Sequence, residues 1–272
     1  MTNTLSTTTA PTTENKLAIV TGGSSGIGRE LAICLAQNGW NVAINYAGNA
    51  AGADDVVTEI EKLGQQGFSL RCDVGLSEDV NQFISAVEDK FNKAPDLLVN
   101  NAGCQTWSPF LELEEDSWDK VIRTNLKGCF LLSQSVAKLM IKHKVKGAIV
   151  NIGSGCNKVP FPNLVDYTAS KGGIEMLTRS TAIELGKYNI RVNCVAPGAI
   201  EIERTKIEDP NYAKTWSKAA PINRVGYPED IYNAVEFLGG EKSSFITGQT
   251  LWVDGGAFTM PNWPTEYRDS ED

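Results

Sequence analysis

Short apolar runs rich in β-branched residues recur along the chain at 17–20, 42–44, 68–70, 96–99, 148–150, 190–192 and 250–253, and each reads as a strand. Between them, residues 26–38, 52–64, 77–92, 115–143, 168–187 and 228–238 carry apolar positions at helical spacing. A strand that is apolar at nearly every position must be covered on both faces, so the alternation predicts a parallel sheet between two helical layers. No internal repeat or break in composition interrupts it. One α/β domain over residues 16–258 is expected, a doubly wound parallel sheet of about seven strands.

Three segments fall outside the alternation. Residues 199–226, with Pro210 and Pro221, form a connection of the length that compact domains reserve for lids and binding loops. Residues 1–15 contain seven Thr and no Lys or Arg, which predicts a disordered N-terminal tail and fits neither a secretory signal nor a transit peptide. Residues 259–272 predict a C-terminal tail, either frayed or docked through Trp263 on a neighbouring subunit.

Composition narrows the chemistry. Of the 272 residues, 42 % are apolar, enough for a core that needs no disulfide or metal staple. A formal net charge of −8 removes any general attraction to nucleic acid or an anionic membrane. No run of ~18 apolar residues is present to span a bilayer. The six cysteines stand apart without a CxxC pair, and His143 is the single histidine. Reduced thiols, no metal site and a cytoplasmic location are therefore expected.

The first strand runs into Thr21-Gly-Gly-Ser-Ser-Gly-Ile-Gly28, which opens the first helix. Gly22, Gly26 and Gly28 permit a tight turn and close approach of backbone to a pyrophosphate, while the helix start offers free N–H groups. With Ser24, Ser25 and Ile27 between the glycines, this strand–loop–helix predicts dinucleotide binding. The second strand ends Ile44-Asn45-Tyr46-Ala47-Gly48. That segment lacks both the carboxylate that would hold the ribose hydroxyls of NAD and any Arg or Lys that would grip the extra phosphate of NADP. Ser24, Ser25, Asn45 and Tyr46 could hydrogen-bond that phosphate. The reading favours NADP over NAD and leaves dual use open.

Tyr167 and Lys171 are four residues apart, about one helical turn, so they share a face. A cation beside a phenol stabilises the phenolate, and such a Tyr can exchange a proton with a substrate oxygen. Ser154 lies just past the fifth strand, on the sheet edge where open α/β sheets bind ligands.

In these landmarks, together with Asp73, Asn100-Asn-Ala-Gly103, Asn125 and Pro197-Gly198, the chain resembles the short-chain dehydrogenases/reductases from Lys16 to Gly256. The resemblance implies a Rossmann-type fold, a nicotinamide cofactor that carries the hydride, and a catalytic tetrad of Asn125, Ser154, Tyr167 and Lys171. It implies that Tyr167 transfers the proton and that Lys171 also binds the nicotinamide ribose. Ser154 would hold the substrate oxygen, and Asn125 would anchor a proton-feeding water chain. By the same resemblance Asp73 and Val74 meet the adenine, Asn101, Ala102 and Gly103 its ribose, and Pro197, Gly198 and Ile200 the nicotinamide. A homotetramer acting on a small-molecule substrate is implied as well.

The substrate pocket is expected from Gln105, Trp107, Asn157, Phe161, Glu201, Arg204 and Trp216. Polar groups there suit several hydroxyls, and Trp107 and Trp216 could stack on a sugar ring. The segments around them resemble those of glucose and rhamnose 1-dehydrogenases. Oxidation of an aldose at C1 to a lactone is the favoured expectation, and reduction of a 3-oxoacyl thioester on acyl carrier protein is the alternative. A dinucleotide-binding protein without catalysis stays open as a second alternative.

Overall fold

A computed structural model of the protein describes residues 16–259. The expected N-terminal tail and the C-terminal tail beyond Thr259, Trp263 included, lie outside the described residues. Seven strands form one sheet: β1 (Leu17–Val20), β2 (Asn41–Tyr46), β3 (Gly67–Arg71), β4 (Leu97–Asn100), β5 (Ala148–Ile152), β6 (Arg191–Pro197) and β7 (Thr250–Val253). Their order is β3-β2-β1-β4-β5-β6-β7, and every neighbouring pair is parallel. This is the doubly wound sheet that the alternation of apolar runs predicts.

Alternate residues of each strand feed two cores. Ala18, Val20, Val42 and Ile44 face α1 (Gly26–Gln37), α2 (Ala50–Lys62) and a late helix at Pro228–Gly239, packing on Leu31, Val56 and Ile231. Leu17, Ile19 and Ala43 face the other layer, where α3 (Ser77–Phe91) contributes Phe83. Leu17 to Val20 are fully buried, as continuous apolar strands require.

The predicted helix at 115–143 is divided. It consists of α4 (Glu115–Val121), a π-helical turn over Ile122–Lys127, and α5 (Gly128–Lys142). A π turn inserts an extra residue into the ladder and is frequent at functional sites. Next comes α6 (Val165–Leu185), which starts earlier than its apolar spacing suggests. The 199–226 connection is not irregular throughout, because α7 (Glu203–Glu208) and α8 (Tyr212–Trp216) fold within it before α9, the helix at Pro228–Gly239. Thr205 starts α7 by accepting from Ile202 N at 2.9 Å, and Asp209 ends it in a turn closed by Asn211 N at 2.9 Å. Ile200 and Gly226 form a parallel bridge, with Glu201 N to Gly226 O at 2.8 Å and Gly226 N to Ala199 O at 2.8 Å, so this lid is tied at its base.

The sheet runs outward from β1 to β3 and returns to β4 on the opposite side of β1. That reversal opens a crevice at the carboxyl ends of β1 and β4, where doubly wound sheets take their ligands. Among the described residues no helix is long and apolar enough to cross a membrane.

Candidate active site

The glycine loop occupies this crevice. Gly22 and Gly26 adopt φ of +65° and +56°, which side chains with a Cβ rarely tolerate. A Cβ on Gly28 would fall 2.4 Å from Gly22 O, so the helix can abut the strand only with glycine there. Ser25 caps α1 without a side-chain hydrogen bond, and no acid stands in the first helical turn, so the backbone N–H groups of α1 are left for an anion. An added Cβ on Gly26 would meet only Ile202 Cδ1 at 3.4 Å, across the mouth of the crevice. These residues fit a pyrophosphate-bearing dinucleotide. Ile27 turns its side chain into the core beneath the loop and presents only backbone.

Two further segments brace the loop. Thr21 Oγ1 accepts from Asn101 N and Ala102 N, both at 2.9 Å, and Asn101 Nδ2 donates to Thr21 O at 2.9 Å. Asn45 is a correction to the sequence expectation. Its Oδ1 accepts from Gly22 N at 3.1 Å, its Nδ2 donates to Cys72 O at 2.9 Å, and it is 2 % exposed, so it shapes the loop from beneath and does not stand open to a phosphate. Ser24 is buried, Ser25 is exposed and Tyr46 half-buried at the rim. Asp73 Oδ1 accepts from Gly75 N at 2.9 Å while Oδ2 faces Arg123 at 3.4 Å, and Val74 sinks into the core. Pro197 ends β6 opposite Val253, and Gly198 packs so closely on Asp254 that a Cβ would lie 2.7 Å from Asp254 Cα. Ile200 is buried at the base of the lid.

The tetrad candidates come from three elements, the π turn, the 3-10 turn after β5 and α6. Lys171, on α6, is 4 % exposed, and its Nζ donates to Ile152 O at the end of β5 at 2.8 Å. The same Nζ stands 5.4 Å from the Tyr167 ring centroid, so both side chains face one way. Among the described residues no carboxylate lies within ion-pair distance of Lys171. Asp166 Oδ1 accepts from Tyr167 N at 2.7 Å in the first turn of the helix. Ser154 heads a short 3-10 turn after β5, its Oγ accepting from Cys156 N at 3.2 Å. Asn125 sits in the π turn, 1 % exposed. Its Oδ1 accepts from Cys104 N at 2.8 Å, and its Nδ2 donates to Cys104 O at 2.9 Å and Ser170 Oγ at 3.0 Å. Gly103 lies beside it, with room for no more than 3.2 Å between an added Cβ and Asn125 Oδ1.

The expected polar substrate pocket does not assemble as predicted. Asn157 Oδ1 accepts from Ser154 N at 3.0 Å and its Nδ2 points to Cys194 Sγ at 3.8 Å, so it holds the Ser154 turn. Glu201 pairs with Lys206 at 3.3 Å, and Arg204 pairs with Glu208 at 3.7 Å on an exposed surface. Gln105 is half-buried next to the Asn125 anchor, and Trp107 is 63 % exposed with no ring partner among the described residues. Phe161 and Trp216 do come together, 6.5 Å between centroids, and Phe258 packs edge-on against Phe161 at 5.9 Å.

Phe258 was invisible to sequence reasoning. Its ring covers Gly155, where an added Cβ would fall 2.0 Å from Phe258 Cζ, and so walls the Ser154 turn. On its far side the three aromatic rings, with Ala199, Ile222 and Trp252, line an apolar cavity of about 450 Å³ that no tetrad residue touches. A second unpredicted feature lies behind the tetrad. Asn100 Nδ2 donates to Ser133 Oγ at 2.9 Å and Asn151 Oδ1 at 2.8 Å, while Asn151 Nδ2 donates to Thr178 Oγ1 at 2.9 Å. This buried network joins β4, β5, α5 and α6.

All six cysteines are free. Burial pushes the Cys72 and Cys129 thiols up to about 12 and Cys194 to about 11, so these three stay protonated at neutral pH. No group of His, Cys, Asp and Glu that could hold a metal occurs among the described residues.

Comparison with known proteins agrees with this geometry. A family profile described as enoyl-(acyl carrier protein) reductase matches residues 22–258. The 3-oxoacyl-[acyl-carrier-protein] reductase of Staphylococcus epidermidis is 40 % identical over 244 residues, which is 90 % of this chain and 99 % of that protein. Acetoin dehydrogenase from Enterobacter cloacae superposes with a TM-score of 0.83 at 35 % identity, over 92 % of this chain and 98 % of its own. A candidate gluconate dehydrogenase from Agrobacterium tumefaciens gives 0.84 at 33 % identity, over 90 % and 97 %. The chain belongs to the short-chain dehydrogenase/reductase family, and with it to the NAD(P)-dependent oxidoreductases that act on CH–OH groups.

Proposed function

We propose that Tyr167 exchanges the proton on a substrate oxygen while Ser154 holds that oxygen and Lys171 stabilises the charge developing on the phenol. The observation that carries this reading is the buried Lys171 ammonium 5.4 Å from the Tyr167 ring, with a carbonyl and, among the described residues, no carboxylate beside it. A bound nicotinamide supplies or takes the hydride. The glycine loop and the α1 N-terminus would hold the pyrophosphate, Asn101 to Gly103 and Asp73 the adenosine half, and Pro197 to Ile200 the nicotinamide. Asn125 would keep the Cys104 segment and α6 in place beside the reacting groups.

For the substrate, three of the polar groups that favoured an aldose, Asn157, Glu201 and Arg204, are paired elsewhere, and the wall next to Ser154 is aromatic. This supports a ketone or secondary alcohol with an apolar arm, represented by a 3-oxoacyl thioester, and the 40 % identical relatives bear that name. Aldose oxidation is the second reading. It is supported by the Phe161 and Trp216 rings, whose faces suit a sugar. An absorbance assay at 340 nm decides between them: acetoacetyl-coenzyme A with reduced cofactor against an aldose panel with oxidised cofactor. Turnover of aldoses alone overturns the thioester reading, and turnover of nothing in a wider panel of ketones and alcohols overturns catalysis.

We further propose a homotetramer. Phe130 on α5 and Met176 and Ile183 on α6 are 42 %, 57 % and 82 % exposed, an apolar surface that suits burial between copies. Light scattering on the wild type and on Ile183→Glu tests this, with a smaller assembly expected for the variant.

A further inference from the structure

We propose that Arg71 is the residue that selects NADP over NAD, by meeting the phosphate on the adenosine ribose. This rests on the nicotinamide-cofactor reading above. The segment that closes β2 holds no cation, so cofactor choice looks undecided along the sequence. The sheet supplies one from the neighbouring strand. Arg71 ends β3 directly opposite Tyr46 in the parallel register, so both side chains rise from the same face at the carboxyl edge. Its Nε donates to Ala47 O at 3.1 Å, which hooks the guanidinium over the end of β2.

Among the described residues no carboxylate lies within ion-pair distance of this guanidinium. With Nε engaged, the two terminal nitrogens keep the fork geometry that suits a phosphate. The rim around it is prepared for an anion. Asn49 Nδ2 donates to Ser24 O at 3.2 Å, which ties the start of α2 to the glycine loop. Neither α1 nor α2 has an acid in its first turn, and Asp54 and Asp55 come only in the second turn of α2. Arg29, the nearest cation on α1, is already paired with Glu30. The corner bounded by Ser24, Ser25, Ala47 and Asn49 thus has Arg71 as its available positive charge.

The test is equilibrium binding, followed by calorimetry, of NADP+, NAD+ and 2′,5′-ADP to the wild type, Arg71→Gln and Arg71→Lys. Arg71→Gln is expected to weaken NADP+ and 2′,5′-ADP about 10- to 100-fold, the range of a lost charge-assisted contact, and to change NAD+ by less than about 3-fold. Arg71→Lys should fall between, because an ammonium keeps the charge and loses the fork. In the wild type, raising salt should weaken NADP+ binding more steeply than NAD+ binding. Equal changes for both cofactors, no change for either, or a wild type that prefers NAD+ overturns the inference. A wild type that binds neither cofactor instead overturns the nicotinamide reading itself.

Discussion

Tyr167 and Lys171 meet because an α-helix places residues four apart on one side, yet the helix alone does not explain why the pair is buried. Lys171 is drawn inward by the carbonyl of Ile152 at the end of β5, which replaces part of the water an ammonium gives up on burial. Replacing Tyr167 with Phe removes the proton-transfer oxygen and leaves that arrangement intact. The expected outcome is a kcat below about a tenth of wild type, in line with the 10²- to 10⁴-fold contribution of acid–base groups, with cofactor Kd unchanged in a titration. At Gly155 the constraint is steric. Gly155→Ala must displace the Phe258 ring or the Ser154 turn, so kcat/KM should fall for any substrate that uses Ser154, with about 1–3 kcal/mol lost from stability. Urea unfolding and steady-state kinetics on the same sample check both. The facing of Tyr167 and Lys171 was legible from their spacing, and the position of Ser154 from its place after a strand. Phe258 was not, because its partner Gly155 lies a hundred positions away in the chain and glycine advertises nothing about what covers it.

Elements were legible wherever one period dominated. The central strands announced themselves because β1, β4 and β5 are buried at every position, while the edge strands β3 and β7 stood out only through a few apolar residues between turns. The π turn at Ile122–Lys127 did not, since a single inserted residue leaves the apolar spacing of a long helix nearly unchanged. Nor did α7 and α8, which are too short for periodicity and are delimited by the Thr205 and Asp209 side chains. The network of Asn100, Asn151, Ser133 and Thr178 is of the same kind, polar residues inside apolar elements that pair only once the sheet is formed. Asn151→Leu would take away one of the two acceptors of Asn100 Nδ2, the other being Ser133 Oγ, and the amide that Thr178 Oγ1 accepts from, and would force a branched apolar side chain into a buried polar network. A loss of about 2–4 kcal/mol is expected by urea denaturation, far more than a surface change costs. Arg71 likewise acquires its neighbour Ala47 only through strand register.

Over the whole molecule, the 199–226 connection is held at its far end to the first turn of α9 by Arg224, which pairs with both oxygens of Asp230 at 2.7 and 2.8 Å. That guanidinium keeps the Asp230 carboxyl below its ordinary range. A carboxyl with a lowered folded-state pKa stabilises the fold fully above its unfolded value, and the contribution disappears as pH falls through the folded one. Asp230→Asn should therefore lower the urea midpoint at pH 7, and the gap from wild type should close as pH drops below about 4. Parallel denaturation curves across that range measure it. The acidic composition that discouraged nucleic acid as a partner does not conflict with Arg71, because one uncompensated guanidinium at a rim acts locally and net charge acts over the surface.

The bridge between Ile200 and Gly226 draws the chain shut like the neck of a purse. The returning chain is anchored again by Ile202 on the core, by Ile222 N on Gly255 O and by Arg224 on Asp230, so exchanging only the stretch from 203 to 219 leaves those ties in place and adds a slowly growing entropy of ring formation. A chimera that keeps residues 200–202 and 220–226 and replaces what lies between them should retain the thermal midpoint and cofactor affinity of the parent while it accepts a different alcohol.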